Sequence, residues 1–172
     1  YGVLDVINSG SAMELDEETI AFIKEMVKEK KIHTLWFEAH YMYHKKLASF
    51  AEQFAPAKVK FRCGVETFDT ALREAWKKGI PSSVSVQDIA QHFQGICLLC
   101  CTQGETKEHI LKDIELAKAH FEYFSVNVFC DNHTPIKQDK ELASWFAKEV
   151  YPMIKDDPRI EVLMENTDLG VG

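Results

Sequence analysis

Polar side chains stand where apolar strands end, and their types and spacing mark out a binding face. Asn8-Ser9-Gly10-Ser11 follows the apolar stretch Gly2–Ile7. Glycine there admits a ligand close to the backbone, and the amide and hydroxyls suit an amino group or a carboxylate. The same residues also suit a plain polar turn from strand to helix. Glu38 and His40 share one face at the end of Thr34–His40. Such a pair binds a metal, moves a proton, grips a substrate, or simply bonds internally. No third ligand of suitable type is fixed by the sequence, so no metal is assigned to it. Arg62, Gly64 and Glu66 fall on one face by the strand period of two, with Gly64 leaving room between two charges. A guanidinium clamps a carboxylate bidentately and a carboxylate accepts ribose hydroxyls, although an internal Arg–Glu bridge uses the same residues. Asn127 stands inside Phe124–Phe129, and Gln103 lies just past another strand end.

The elements that must position these groups alternate along the chain. Strand signals at Gly2–Ile7, Thr34–His40, Val59–Glu66, Gly95–Cys101, Phe124–Phe129 and Ile160–Asn166 are separated by helical patterns, and no hairpin turn joins two strands. The helices are expected near residues 16–31, 44–54, 70–78, 86–93, 106–121 and 140–154. This βα repetition calls for parallel strands with right-handed crossovers, closed as an open doubly wound sheet or as an arc of a barrel. Asp5, Glu38, His40, Arg62, Glu66, Asn127 and Glu165 all fall on inward positions, which favours a barrel lumen reached from the carboxyl ends of the strands. The expected fold class is α/β, a partial TIM-type (β/α) barrel of about six parallel strands.

The chain has 172 residues, a formal charge of −7, 46% hydrophobic and 27% charged residues. One globular domain over 1–172 is expected. With no Lys/Arg-rich run there is no nucleic-acid footprint, and no apolar run reaches the ~20 residues of a membrane helix. The cysteines number five, an odd count in strand-like surroundings, which argues against a disulfide framework and for a reducing cytoplasm. Cys97 and Cys100 have a metal-like spacing, but along a strand they point to opposite faces and cannot share one ion. The remaining histidines read as surface or capping residues.

Three stretches carry a family resemblance. They are Asn8-Ser9-Gly10-Ser11-Ala12; Gly64-Val65-Glu66-Thr67-Phe68-Asp69 with Arg73-Glu74 and Lys77-Lys78-Gly79-Ile80; and Gln103-Gly104-Glu105-Thr106 with Asp113-Ile114-Glu115. In this order, and across almost the whole chain, they resemble the middle and C-terminal parts of the radical S-adenosylmethionine superfamily.

The resemblance implies a partial barrel that binds S-adenosylmethionine across its open end. Asn8, Ser9, Gly10 and Ser11 would line the approach to the cofactor's amino group. Arg62 and Glu66 would hold its carboxylate or ribose, and the backbone from Cys101 to Gln103 would flank its adenine. Glu38, His40 and Asn127 would face a substrate that the sequence does not identify. The superfamily's Cys-x3-Cys-x2-Cys motif is missing from this sequence, and thiolates are what hold iron–sulfur clusters. A [4Fe–4S] cluster is therefore expected only in the full-length protein, with the N-terminal βα unit and its cysteine loop upstream of Tyr1. Two other readings stay open: a cluster-free barrel that holds S-adenosylmethionine or another small polar ligand, and an unrelated barrel lyase or aldolase using Lys60 or Glu66 as base.

Overall fold

The computed structural model describes residues 2–8 and 10–165. Its six strands form one sheet in the order β1 to β6, all parallel: β1 Val3–Val6, β2 Thr34–Glu38, β3 Lys58–Glu66, β4 Gly95–Cys100, β5 Tyr123–Val128 and β6 Ile160–Leu163. Strictly sequential order decides between the two closures. Right-handed crossovers that always step the same way put every helix on one face, so the sheet curls into a half-barrel.

The period of two sorts the strand residues cleanly. Leu35 and Phe37 of β2, Phe61, Cys63 and Val65 of β3, Ile96, Leu98 and Cys100 of β4, and Phe124, Val126 and Val128 of β5 are buried on the convex face. That face is covered by α1 (Glu17–Glu29), α2 (Leu47–Glu52), α3 (Thr70–Ala75), α4 (Val86–Ala90), α5 (Lys107–His120), α6 (Lys140–Trp145) and α7 (Tyr151–Ile154). Phe37 meets Phe50 of α2 edge-on at 5.3 Å and Phe54 at 5.2 Å. Each fully buried ring of this kind contributes on the order of 2 to 3 kcal/mol. A π-helical turn over Phe146–Val150 joins α6 to α7, so the single helix expected there is continuous but locally underwound.

The turns at the carboxyl rim are held by side-chain caps. Asp16 accepts from the Thr19 N–H, Asp69 from Leu72, Thr106 from His109, and Asp139 from Glu141 and Leu142. Ser85 and Asp88 form a reciprocal capping box.

Glu105 belongs to the turn between β4 and α5. Its Oε2 accepts the Thr102 N–H at 3.0 Å, while Oε1 is buried without a partner among the described residues. Burial pushes its carboxyl up to about 7, against the Thr102 N–H and with help from the Asp113 charge. The folded state therefore holds this proton more tightly than the unfolded chain, whose carboxyl titrates near 4.5. The resulting stabilisation is complete below pH 4.5 and drains as pH rises through 7. Glu105→Gln, which keeps the acceptor and removes the charge, should leave the melting temperature unchanged at about pH 3.5 and raise it at about pH 8. The gain at pH 8 should be at most about 3 kcal/mol in denaturant titrations.

Candidate functional site

The concave face carries the chemistry. A hollow of about 360 Å³ opens at the carboxyl rim of β1–β3, lined by Asn8, Gly10, Ser11, Glu14, Glu38, His40, Met42, Gly64 and Lys78. The turn after β1 supplies unspent acceptors: Asn8 Nδ2 donates to the Ser11 carbonyl at 3.3 Å, but Asn8 Oδ1 and Ser11 Oγ are buried with no partner among the described residues. Ser11 is only 5% exposed and belongs to the wall of the hollow. Buried polar atoms left unpaired mark a place where a ligand completes the bonding. Ser9 lies outside the described residues.

Opposite that turn, β3 ends irregularly. The ladder slips between Gly64 and Glu66, and Glu66 takes φ 67°. The bulge lets Val65 stay buried on the convex side while the Glu66 carboxylate turns toward the lumen. A left-handed backbone at a non-glycine residue costs about 1 kcal/mol or more and collects at functional sites. Lys78 Nζ donates to Glu66 Oε1 at 2.7 Å. Burial works against the Lys78 charge, but attraction to Glu66 and Glu38 prevails and raises its pKa.

His40 serves this arrangement from behind. Its Nδ1 accepts the Met42 N–H at 3.2 Å and its Nε2 lies 2.6 Å from the Lys78 carbonyl, which fixes Nε2 as the donor. Both ring nitrogens are spent on the backbone, so His40, expected from the sequence to face a substrate, lines the hollow without a free ring nitrogen to offer it. It pins the Lys77-Lys78-Gly79 turn instead, and so aims Lys78 at Glu66.

Glu38 is different. Among the described residues it makes no hydrogen bond and no ion pair, although burial and repulsion by Glu66 hold its pKa up. An ideal Cβ built on Gly64 would sit 3.5 Å from Glu38 Oε1, 3.5 Å from Glu66 Oε1 and 3.7 Å from Lys78 Nζ. Two carboxylates and one ammonium thus converge above a position with no side chain.

Below the hollow, the lumen is closed by Arg62. Its guanidinium is ion-paired with Asp5 and packs against the Trp36 and Tyr123 rings, 5.7 and 5.4 Å from their centroids, the two rings themselves being 5.8 Å apart. Tyr123 donates to Glu161 Oε2 at 2.6 Å, and Lys60 pairs with Glu122 while lying 5.2 Å from the Trp36 ring. Gly95 has no side chain because a Cβ there would come within 3.0 Å of Trp36. Arg62 and Glu66, grouped by the sequence as one clamp, are therefore separated. The Arg62 guanidinium is closed on Asp5 and forms the floor, and Glu66 takes Lys78.

The far rim is less open. Cys101 is buried with φ 67°, its neighbour Thr102 bridges Gln138, the Gln103 N–H donates to the Lys137 carbonyl and the Asp139 N–H to the Cys101 carbonyl. This backbone can flank a flat ring by contact while spending most of its hydrogen bonds elsewhere. Asn127 faces the lumen beside Leu99, its Oδ1 buried and unpaired among the described residues. Lys78 escaped the sequence reading because it lies beyond the end of α3, where no strand period applies. The Lys77-Lys78-Gly79 signature was visible, but nothing in it gave direction.

The cysteines do not form a metal centre. Among the described residues no group of three or more His, Cys, Asp or Glu side chains can hold a metal ion. Burial pushes the Cys97 thiol up to about 12, and Cys63 and Cys100 are also raised. These residues do not fit a [4Fe–4S] cluster. No helix among the described residues is long and apolar enough to cross a membrane.

A half-barrel with a charged hollow at the carboxyl rim defines a small-molecule β/α barrel protein. No protein-family model and no curated protein matches the chain. A solved structure does: queuine lyase from Clostridium spiroforme, bound to S-adenosylmethionine and queuine, at 40% sequence identity with a TM-score of 0.92. The match covers 99% of this chain and 74% of that one. The chain belongs to the radical S-adenosylmethionine superfamily.

Removing the floor cation leaves Asp5 facing Glu161 in a half-buried lumen. Arg62→Ala should cost about 1 to 3 kcal/mol in urea unfolding, less than a fully buried pair because Asp5 keeps access to water. Gly64→Ala, whose new methyl meets its neighbours at ordinary contact distance, should unfold within about 1 kcal/mol of the wild type while filling the hollow.

Proposed function

We propose that this chain is the barrel of a radical S-adenosylmethionine enzyme that binds the cofactor in the rim hollow and acts on queuine or a closely related 7-deazaguanine base. The observation that carries this reading is the 40% identity, across 99% of the chain, to a lyase bound to both molecules. The hollow's charges favour it. Even without Glu38, Glu14 on the lining and Glu66 beside Gly64 outnumber Lys78 there, and S-adenosylmethionine carries a net positive charge through its sulfonium and ammonium.

Each set of residues has a task in this reading. Asn8, Ser9, Gly10 and Ser11 receive the amino-acid end of the cofactor, with Asn8 Oδ1 and Ser11 Oγ gaining the partners they lack. Glu66, held by Lys78, accepts from hydroxyl groups, and the Cys101–Gln103 backbone bounds the adenine. Arg62 acts one step removed, through the floor. Bound S-adenosylmethionine would supply a 5′-deoxyadenosyl group for hydrogen abstraction, and the described residues would not themselves hold the [4Fe–4S] cluster of the superfamily. The chain's own side chains orient both ligands and exclude water from the lumen, whose floor is closed by Arg62, Trp36 and Tyr123. A lyase role in a cytoplasmic setting is the natural extension of the neighbour's activity.

The test is reconstitution of the full-length protein with iron and sulfide, followed by reduction in the presence of S-adenosylmethionine and queuine. 5′-Deoxyadenosine and a cleaved base should both accumulate in chromatography with mass detection. Cofactor cleavage without loss of queuine would refute the substrate, and absence of both would refute the enzyme.

A further inference from the structure

We infer that Glu38 and Lys78, side by side over Gly64, read the pyrimidinone edge of the deazaguanine base. This rests on the queuine reading above. A 7-deazaguanine presents along that edge a carbonyl oxygen, a ring N–H and an exocyclic amine, one acceptor followed by two donors. The complementary protein edge is one donor followed by two acceptors. Lys78 Nζ and Glu38 Oε1 both lie within 3.7 Å of the Gly64 Cβ position, so the ammonium and the carboxylate flank one bare stretch of backbone.

The two groups differ in what they have left to give. Lys78 spends one N–H on Glu66, leaving donors for the base carbonyl. Glu38 spends nothing on the other described residues, which leaves both its oxygens for parallel donors. Paired N–H groups on a planar edge satisfy a carboxylate bidentately, which makes this match directional. Gly64 matters as much as the charges, because a flat heterocycle needs close approach to the strand. The amino-acid end of the cofactor has other acceptors, since Ser11 Oγ and Asn8 Oδ1 stand unpaired on the opposite wall.

Burial and the neighbouring Glu66 raise the pKa of Glu38, so an N–H pair that shares its charge relieves a repulsion already present. Other charged groups around it are Arg62, Lys78 and Asp5, and none of them bonds to it. A carboxylate left in this state binds a donor pair strongly and rejects an edge that offers only one.

Titration calorimetry of the reconstituted full-length protein, saturated with S-adenosylmethionine, provides the test. The probes are queuine, 7-deazaguanine and 7-deazahypoxanthine, which lacks the exocyclic amine. The wild type should bind 7-deazaguanine roughly 10- to 100-fold more tightly than 7-deazahypoxanthine, the range of a charged hydrogen bond. Glu38→Gln, isosteric and without a folded partner to lose, should erase most of that ratio while S-adenosylmethionine affinity stays within about twofold. Gly64→Ala should weaken every base and leave the ratio intact. An unchanged ratio in Glu38→Gln overturns the inference alone. A collapse of cofactor affinity in that variant also overturns it, since Glu38 then serves the cofactor's ammonium. Failure of the wild type to bind queuine at all overturns the substrate reading, and this inference falls with it.

Discussion

The guanidinium of Arg62 is the constraint on which the lumen depends. A half-barrel leaves one face of its sheet without helices, and here that face carries acids on β1, β2 and β6. Arg62 occupies its lower part, packed against the adjoining rings of Trp36 and Tyr123 and joined to Asp5, with Tyr123 passing a hydrogen bond on to Glu161. Cation–π contact and ion pairing together offset a desolvation that either alone would cover poorly. With the floor shut by groups already paired, the rim above it stays free to carry acceptors and a surplus of negative charge.

Rim and floor need different things from the same strands. The floor is built by residues whose partners are already present, as in a folded core. The rim is built by groups with no partner among the described residues: Asn8 Oδ1, Ser11 Oγ, Asn127 Oδ1 and the Glu38 carboxylate. His40 and Lys78 join the two regimes, since His40 fixes a turn and the turn delivers a cation to Glu66.

Much of this was legible in the sequence, and the misses have physical causes. Parallel topology followed from βα alternation, and the separation of Cys97 from Cys100 from strand period alone. Asn8, Gly10, Ser11, Glu38 and Gly64 are gathered around one hollow, as their places at strand ends suggested. Arg62 and Glu66 were misjudged as a pair because period two says which face a residue takes, not what meets it there. Asp5 was near in space and 57 residues away in sequence. A ladder slip has no local signature in Gly64-Val65-Glu66, and Lys78 lay beyond a helix end.

The left-handed residues at the tips of β3 and β4 have an evolutionary corollary. Glu66 and Cys101 both stand at φ 67°, where glycine would rest without strain. Drift toward a sturdier fold would favour glycine at either place and would erase, at position 66, the carboxylate that the bulge exists to present. Selection on folding and selection on ligand binding therefore pull this strand tip in opposite directions. Breeding such a barrel for heat resistance alone would be expected to quieten it.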